Sequence, residues 1–475
     1  MEKHLSQKNY YFNNEKFNNE NKLKELEKPV VFRDLIYGYI YFEYEFLEKL
    51  INTKCMQRLR RIRQLSCVNI VFHGAEHSRF THSLGVYELA RRFLEINSQV
   101  PEVQRIFASK VSDVYKNPKR RNKFLLLTAA LLHDIGHGAY SHIFEDIFET
   151  EHALISAQII LNNKEISNIL DEFHDKDFKK DLAYILNPTI LESTNSSNKD
   201  LQIIRQLISS KLDFDRLDYL VRDAFYTGVI YGYIDTDKLI RSINITTVND
   251  EQKIYFSSSS VTAIENYFIN YYHMYKQVYG HLKVLGYTVI LKQIFHRIKD
   301  LLQENHQFKF ANILQPLKYF LQEKEKLDKN TPNYFSEKYI KFYLAIDDFY
   351  LNGLIVHLQN ENDIVLRCLC YDFLNRRIWL YSEKNIKEKL EKEMLKDIKK
   401  ELVKYFIFEN KSSPTIYKQD FKKYATEICK EVLIDTKLQK LSEASPLLKS
   451  IIKSKKIVNN KHHYKIFFSS QYKKF

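Results

Sequence analysis

The chain has 475 residues, 44% of them hydrophobic, and a formal charge of +14. That composition supports a large buried core and excludes a disordered or fibrous protein. Five cysteines, odd in number and without zinc-ribbon spacing, exclude a disulfide scaffold and point to reduced thiols.

The first 27 residues are polar and rich in Asn, Glu and Lys, with no apolar signal core. The longest apolar run, 124–132, is far too short to span a bilayer. A soluble, cytoplasmic protein with no membrane partner is expected. The positive charge favours an anionic partner such as nucleotide phosphates. Much of the lysine lies in the last third, over 387–404 and 453–474, and charge runs of this kind are usually solvated faces.

In chain order, residues 1–28 read as a flexible tail. The stretch VVFRDLIYGYIYFEYEFLEKL (30–50) opens on strand-like and turn-like residues and then becomes helical. Leu50, Met56, Leu59, Ile62 and Leu65 recur at helical spacing, which predicts a helix over 49–65. Arg58, Arg60, Arg61 and Arg63 form its basic face. Residues 72–96 read as a loop entering a helix, with His82 near the helix start. A buried helix is expected over 123–135, and further helices over 151–162, 203–224 and 261–299.

Beyond residue 300 the pattern loosens. Residues 341–358 begin with strand-like alternation, 384–407 read as a charged helix, and 413–421 and 462–475 have β-like content. The expected fold is mainly α: a helical domain over 29–300 and a smaller α+β C-terminal lobe over 301–475. No internal repeat is visible.

The chemistry concentrates at Leu131-Leu132-His133-Asp134-Ile135-Gly136-His137-Gly138. A His-Asp doublet closes a very apolar run, and on a helix His133 and His137 would share one face. Imidazole plus carboxylate is a usual ligand set for a catalytic divalent ion. Gly136 and Gly138 are poor helix formers and suit a close backbone approach. His73, His77 and His82 precede the doublet, His142 and His152 follow it, and Asp213, Asp215 and Asp218 cluster later. The residues read as a metal-dependent hydrolase. A zinc-protease H-E-x-x-H reading of 133–137 is disfavoured, because aspartate is one methylene short of the required base.

The order His82, His133-Asp134, Asp215 resembles the HD phosphohydrolase superfamily. The strings QRLRRIRQL (57–65), FHGAEHSRFTHSLGV (72–86), LLHDIGHGAYSHIFE (131–145), EHALIS (151–156) and LDFDRLDYLVRDAFYTGV (212–229) resemble its deoxynucleoside triphosphate triphosphohydrolase branch. The resemblance implies the HD-domain helical fold and cleavage of a dNTP to deoxynucleoside and inorganic triphosphate. It implies one divalent ion per subunit (Mn, Fe, Zn, Ni or Mg) on His82, His133, Asp134 and Asp215. His137, His142 and His152 would contact phosphates and assist proton transfer, with His142 or His152 as the acid.

By the same resemblance Arg79 and Arg216 would hold phosphates, and Gln64 and Asp223 the sugar 3′-hydroxyl. Tyr219 would pack on the sugar, while Leu65 and Tyr279 would exclude ribonucleotides. Asn52, Gln57, Arg58 and Arg60 match a segment that binds an activating nucleotide and joins a homo-oligomer, a dimer or tetramer. Asn52 departs from the aspartate of a regulated relative, and Tyr271 stands where relatives carry a phosphate arginine, with Lys276 nearby. Asp213 and Asp218 read as structural. The alternatives left open are another HD substrate (an alarmone, a cyclic dinucleotide or a nucleoside monophosphate) and nucleic-acid binding through the basic lobe.

Overall fold

The computed structural model describes residues 24–107, 118–190, 198–325, 335–410, 421–453 and 465–472. The expected tail therefore lies outside the described residues up to residue 23, as does the β-like stretch 413–420. The described chain opens with an antiparallel hairpin of β1 (Glu25–Asp34) and β2 (Gly38–Tyr44). Helices α1 (Glu45–Asn52), α2 (Lys54–Arg58), α3 (Arg79–Ile96), α4 (Pro101–Phe107) and α5 (Pro118–Leu132) follow. Next come α6 (His142–Phe148), α7 (His152–Asn162), α8 (Lys164–Asp171), α9 (Phe178–Leu186), α10 (Lys199–Ile208), α11 (Phe214–Thr227) and α12 (Thr236–Arg241). Strands β3 (Ile243–Val248) and β4 (Glu251–Phe256) precede α13 (Val261–Met274), a π turn over Tyr275–Tyr279, and α14 (Leu282–Gln303).

The distal part contains α15 (Ala311–Glu325), α16 (Glu337–Leu344), α17 (Asp348–Leu358), α18 (Ile364–Leu374), β5 (Leu380–Ser382), α19 (Lys387–Met394), β6 (Ile407–Asn410) and α20 (Phe421–Glu431). Strands β7 (Leu433–Ile434) and β8 (Gln439–Lys440), helices α21 (Leu441–Ala444) and α22 (Pro446–Lys453), and strand β9 (Lys465–Phe468) follow. The sheet order is β3-β4-β7-β8 in one sheet and β5-β9-β6 in another. The fold is mainly helical, as expected.

Helix α5 is the centre of the HD core. Its residues Phe124–Leu132 are buried on every side, against α3, α4, α9 and α10, so it shows no polar face. Helix α3 packs on both α5 and α11, which brings His82, the doublet and Asp215 toward one point. All five cysteines are free thiols. Among the described residues, no helix is long and apolar enough to cross a membrane.

Several local expectations are corrected. The helix expected over 49–65 is broken at Thr53, whose hydroxyl donates to Leu50 O at 2.7 Å and caps α2 at Met56 N. A single 3₁₀ turn follows over Leu59–Arg61, and Ile62 is extended. The helix expected to carry the doublet ends at Leu132, one residue before it. Residues 203–224 are two helices, with Asp213 capping α11, and 261–299 breaks at the π turn.

Residues 341–358 are helical, because Ser336 and Asp347 cap α16 and α17. Their buried Tyr339, Ile340, Tyr343, Leu351, Leu354, Ile355 and Leu358 follow helical spacing. The charged helix of 384–407 is confined to Lys387–Met394.

Residue 300 falls inside α14, and the α16–α17 corner packs directly under the doublet loop. Asp348 accepts the backbone N–H of Arg63 at 3.0 Å and of Tyr140 at 2.7 Å, and Asp347 pairs with Arg61 at 2.6 Å. An Asp348→Ala change strands two N–H groups and is expected to cost about 3 kcal/mol of stability. Urea denaturation of the variant checks this.

Candidate active site

Two helices, α3 and α11, and the turn after α5 assemble the first cluster. His82 Nε2 lies 2.9 Å from Asp215 Oδ1 and 3.2 Å from His133 Nε2. Asp134 closes the group, with Oδ1 3.3 Å from His133 Nε2 and Oδ2 3.6 Å from His82 Nε2. The outer nitrogens of both rings face oxygen acceptors: His82 Nδ1 meets Asp218 at 2.7 Å and His133 Nδ1 meets Ala130 O at 2.9 Å. Such partners hold the proton on Nδ1 and leave each Nε2 as a lone pair. Two lone pairs 3.2 Å apart, ringed by carboxylates, require a cation between them. The donor set therefore fits a divalent metal.

Burial works against protonating His82, but Asp215 and Asp218 outweigh it and raise the imidazole to about 10. Burial likewise opposes ionising Asp134, yet Arg79, His133 and His137 hold its carboxyl well below the usual range.

Local sequence explains the turn that carries the doublet. Ser156 Oγ accepts Gly136 N and donates to His133 O, both at 2.9 Å, and the Tyr343 hydroxyl donates to Gly136 O at 2.6 Å. A Cβ on Gly136 would stand 2.3 Å from His152 O, so only glycine lets α7 approach this closely. Since His133 and His137 lie in a turn, they face different clusters instead of one shared helix face.

The second cluster joins His137, His142, Glu145 and His152. Glu145 receives His142 Nδ1 and His152 Nδ1 at 2.6 Å each, plus His152 N at 2.7 Å. Burial opposes protonating His152, but Glu145 raises its affinity for the proton. His137 is held well below the usual imidazole range, first by burial, then by Arg79 and His152. The His137 and His152 rings stack 3.9 Å apart and nearly parallel, and one ligand atom from each of the four residues lies within 4.8 Å of the others.

Two members escaped the sequence reading. Glu145 shares a helix face with His142 at i,i+3, a signal that was available. Asp218, read as structural, joins Asp215 in gripping His82, one carboxylate on each ring nitrogen. Gly85 makes room for it, because a Cβ there would lie 1.9 Å from Asp218 Oδ1.

On the pocket side, Arg79 is buried and donates to Asp134 at 2.5 Å and to Ser141 Oγ at 2.7 Å. Arg216 donates to Ser210 O at 2.9 Å and to the Tyr219 hydroxyl at 3.2 Å. Tyr219 lies between His82 and Tyr279, with ring centroids 6.4 and 6.3 Å away. Asp223 accepts the Tyr279 hydroxyl at 2.6 Å, and Gln64 and Leu65 are buried nearby in sequence to the His77 loop. Tyr271 is buried, stacked 4.0 Å from Tyr424 and 5.9 Å from the Arg216 guanidinium carbon. It backs Arg216 from within the fold. Lys276 donates to the Tyr272 hydroxyl at 3.2 Å.

The regulatory segment needs one correction. Asn52 and Arg60 are exposed and Gln57 is half-buried, but Arg58 is only 2% exposed. The break at Thr53 turns Arg58 inward, where it donates to His137 O at 2.7 Å and Ile346 O at 2.6 Å. Arg58 ties the doublet loop to the α16–α17 corner and offers nothing to a ligand in solution. Arg61 pairs with Asp347 and Arg63 with Glu76, while Arg60 rests on the Phe80 ring and donates to Gln57. The dense positive face expected of 49–65 is therefore largely neutralised.

The HD domain family matches residues 79–222. The uncharacterized protein YwfO of Bacillus subtilis is 36% identical over 369 residues, covering 77% of this chain and 75% of that protein. The chain belongs to the HD-domain phosphohydrolase family. The matched segment of this phosphohydrolase encloses both clusters. It is also 27% identical over 327 residues to the deoxynucleoside triphosphate triphosphohydrolase SAMHD1 homolog of Dictyostelium discoideum, covering 64% of this chain and 55% of that one. A crystal structure of a phosphohydrolase from Bacteroides thetaiotaomicron shares the fold at 22% identity, with a TM-score of 0.72 over 93% of this chain and 99% of that one.

Proposed function

We propose that this HD-domain phosphohydrolase cleaves a dNTP to its deoxynucleoside and inorganic triphosphate, with one divalent ion held by His82, His133, Asp134 and Asp215. The observation that carries the reading is Asp134. Its Oδ1 lies 3.3 Å from His133 in the first cluster and 3.3 Å from His137 in the second. The groups that would hold the ion thus abut the groups that move protons.

When bound, the ion supplies a Lewis acid for a phosphoryl oxygen and lowers the pKa of water toward neutrality. Water adds at the α-phosphorus, the bond to O5′ breaks, and O5′ takes a proton from His142 or His152. Glu145 orients both rings and favours the charged, proton-donating form of His152. His137, kept neutral, gives a phosphate-facing imidazole without competing for that proton. Arg79 and Arg216 supply positive charge for the phosphates.

Gln64 and Asp223 receive the sugar 3′-hydroxyl, Tyr219 packs on the sugar, and Leu65 with Tyr279 leaves no room for a 2′-hydroxyl. An added hydroxyl there would be buried without a partner. An activating nucleotide on Asn52, Gln57 and Arg60, joining a dimer or tetramer, belongs to the same reading; Arg58 no longer does. The similarity to the Dictyostelium relative supports dNTPs over other HD substrates.

The test is incubation with each dNTP and each NTP plus manganese, followed by ion-exchange chromatography. Deoxynucleoside and intact triphosphate are expected from dNTPs alone. Release of monophosphate or pyrophosphate would contradict the proposal.

A further inference from the structure

We propose that His77 is a positioning residue that holds Asp223 and Tyr279 as a hydroxyl-recognition pair and so sets the preference for a sugar bearing a free 3′-hydroxyl. The inference rests on the dNTP reading and assigns the residue behind its sugar end.

His77 is buried, and its Nε2 meets Asp223 Oδ1 at 2.7 Å. The other oxygen of Asp223 accepts the Tyr279 hydroxyl at 2.6 Å. The three side chains form one line, His77–Asp223–Tyr279, joining the loop before α3, helix α11 and the π turn. The line ends beside the first cluster, because Tyr279 contacts Tyr219 and Tyr219 contacts His82.

Nothing else explains so much investment in one buried imidazole. Tyr226 stacks on the His77 ring at 4.4 Å, and a Cβ on Gly74 would stand 2.4 Å from Tyr226 O, so the loop is pressed onto α11. The carbonyl of His77 accepts Gln64 N at 3.0 Å, which places Gln64 as well. Gln64 Oε1 is buried and has no hydrogen-bond partner among the described residues. It is an acceptor waiting for a donor.

The acceptor count gives the ligand chemistry. Each carboxylate oxygen has two lone pairs, and His77 and Tyr279 occupy one on each oxygen of Asp223. Asp223 and Gln64 therefore both keep acceptor capacity, which calls for a ligand hydroxyl and not a ligand acceptor. Without His77, one oxygen of Asp223 would lose its partner, and the carboxylate would lose its fixed direction toward the Tyr279 hydroxyl. Tyr279 burial and the Asp223 charge already hold that phenol well above its usual pKa, so it remains a donor.

The experiment compares wild type, His77→Leu and His77→Gln on each dNTP and its 2′,3′-dideoxy counterpart. One hydrogen bond to a charged acceptor corresponds to a preference of about 10- to 100-fold for the 3′-hydroxyl in wild type. In His77→Leu the preference should fall to within about threefold, carried mainly by KM. His77→Gln keeps an N–H donor and should retain most of it. A His77→Leu variant that weakens both substrates equally would show a merely structural role and overturn the inference, as would an intact preference.

Equilibrium dialysis of the same nucleotide pairs separates this inference from the dNTP reading. Failure of wild type to release triphosphate overturns the reading. Equal binding of the paired nucleotides by wild type overturns the role of His77, whatever the reaction.

Discussion

Asp134→Ala is expected to abolish metal binding and to lower turnover by about 10³-fold or more. Asp134 touches both clusters: His82, His133, His137 and Arg79 all meet its carboxylate. Its removal leaves two imidazoles and Asp215 around the ion and strips a negative charge from a buried site. The Arg79 guanidinium then faces that site unpaired and repels a cation. Several kcal/mol of transition-state stabilisation rest on the ion, and each 1.36 kcal/mol is about tenfold in rate. Asp134→Asn keeps the shape without the charge and should lose metal to a lesser degree. Elemental analysis of the purified variants, beside steady-state kinetics, measures both quantities. Full metal occupancy in Asp134→Ala would show that the ligand set is wrong.

His152→Ala or His142→Ala is expected to reduce kcat by about 10²- to 10⁴-fold for whichever ring is the general acid, with metal retained. The pH profile tells more. Glu145 raises the pKa of His152 against the effect of burial. The acid form is therefore fully present at low pH and persists above about 6.5, the ordinary imidazole value. It is lost as pH rises through the raised value, so kcat should fall on the alkaline side. Glu145→Gln removes the anion and should move that alkaline limb toward lower pH, with a lower maximum because both rings lose their orienting acceptor. A limb that stays in place in Glu145→Gln would exclude His152 as the acid, provided the variant keeps its metal.

The fold class was legible because apolar residues recur across 203–224 and 261–299 and run almost without a break into the doublet. The candidate ligand set came from the family resemblance carried by the order His82, His133-Asp134, Asp215, and the structure brings these four side chains together. What stayed hidden depends on partners distant in sequence. Helix α5 stops at Leu132 because Ser156 and Tyr343 take over the bonds of the next turn. Neither residue leaves a trace near the doublet.

Arg58 reads as exposed on a helical wheel, and only the carbonyls of His137 and Ile346 draw it inward. In 341–358 the apparent alternation is overridden by caps at Ser336 and Asp347. Asp218, read as structural, buttresses His82 from the side away from Asp215, a partnership set by the packing of α3 on α11. A ring with two nitrogens can be gripped from i and i+3 together.

The most direct test of the central claim is dNTP hydrolysis in ¹⁸O-labelled water, with the products weighed by mass spectrometry. Water attack at the α-phosphorus predicts one ¹⁸O in the triphosphate and an unlabelled deoxynucleoside. Label in orthophosphate or pyrophosphate, with a nucleoside mono- or diphosphate as co-product, would contradict it.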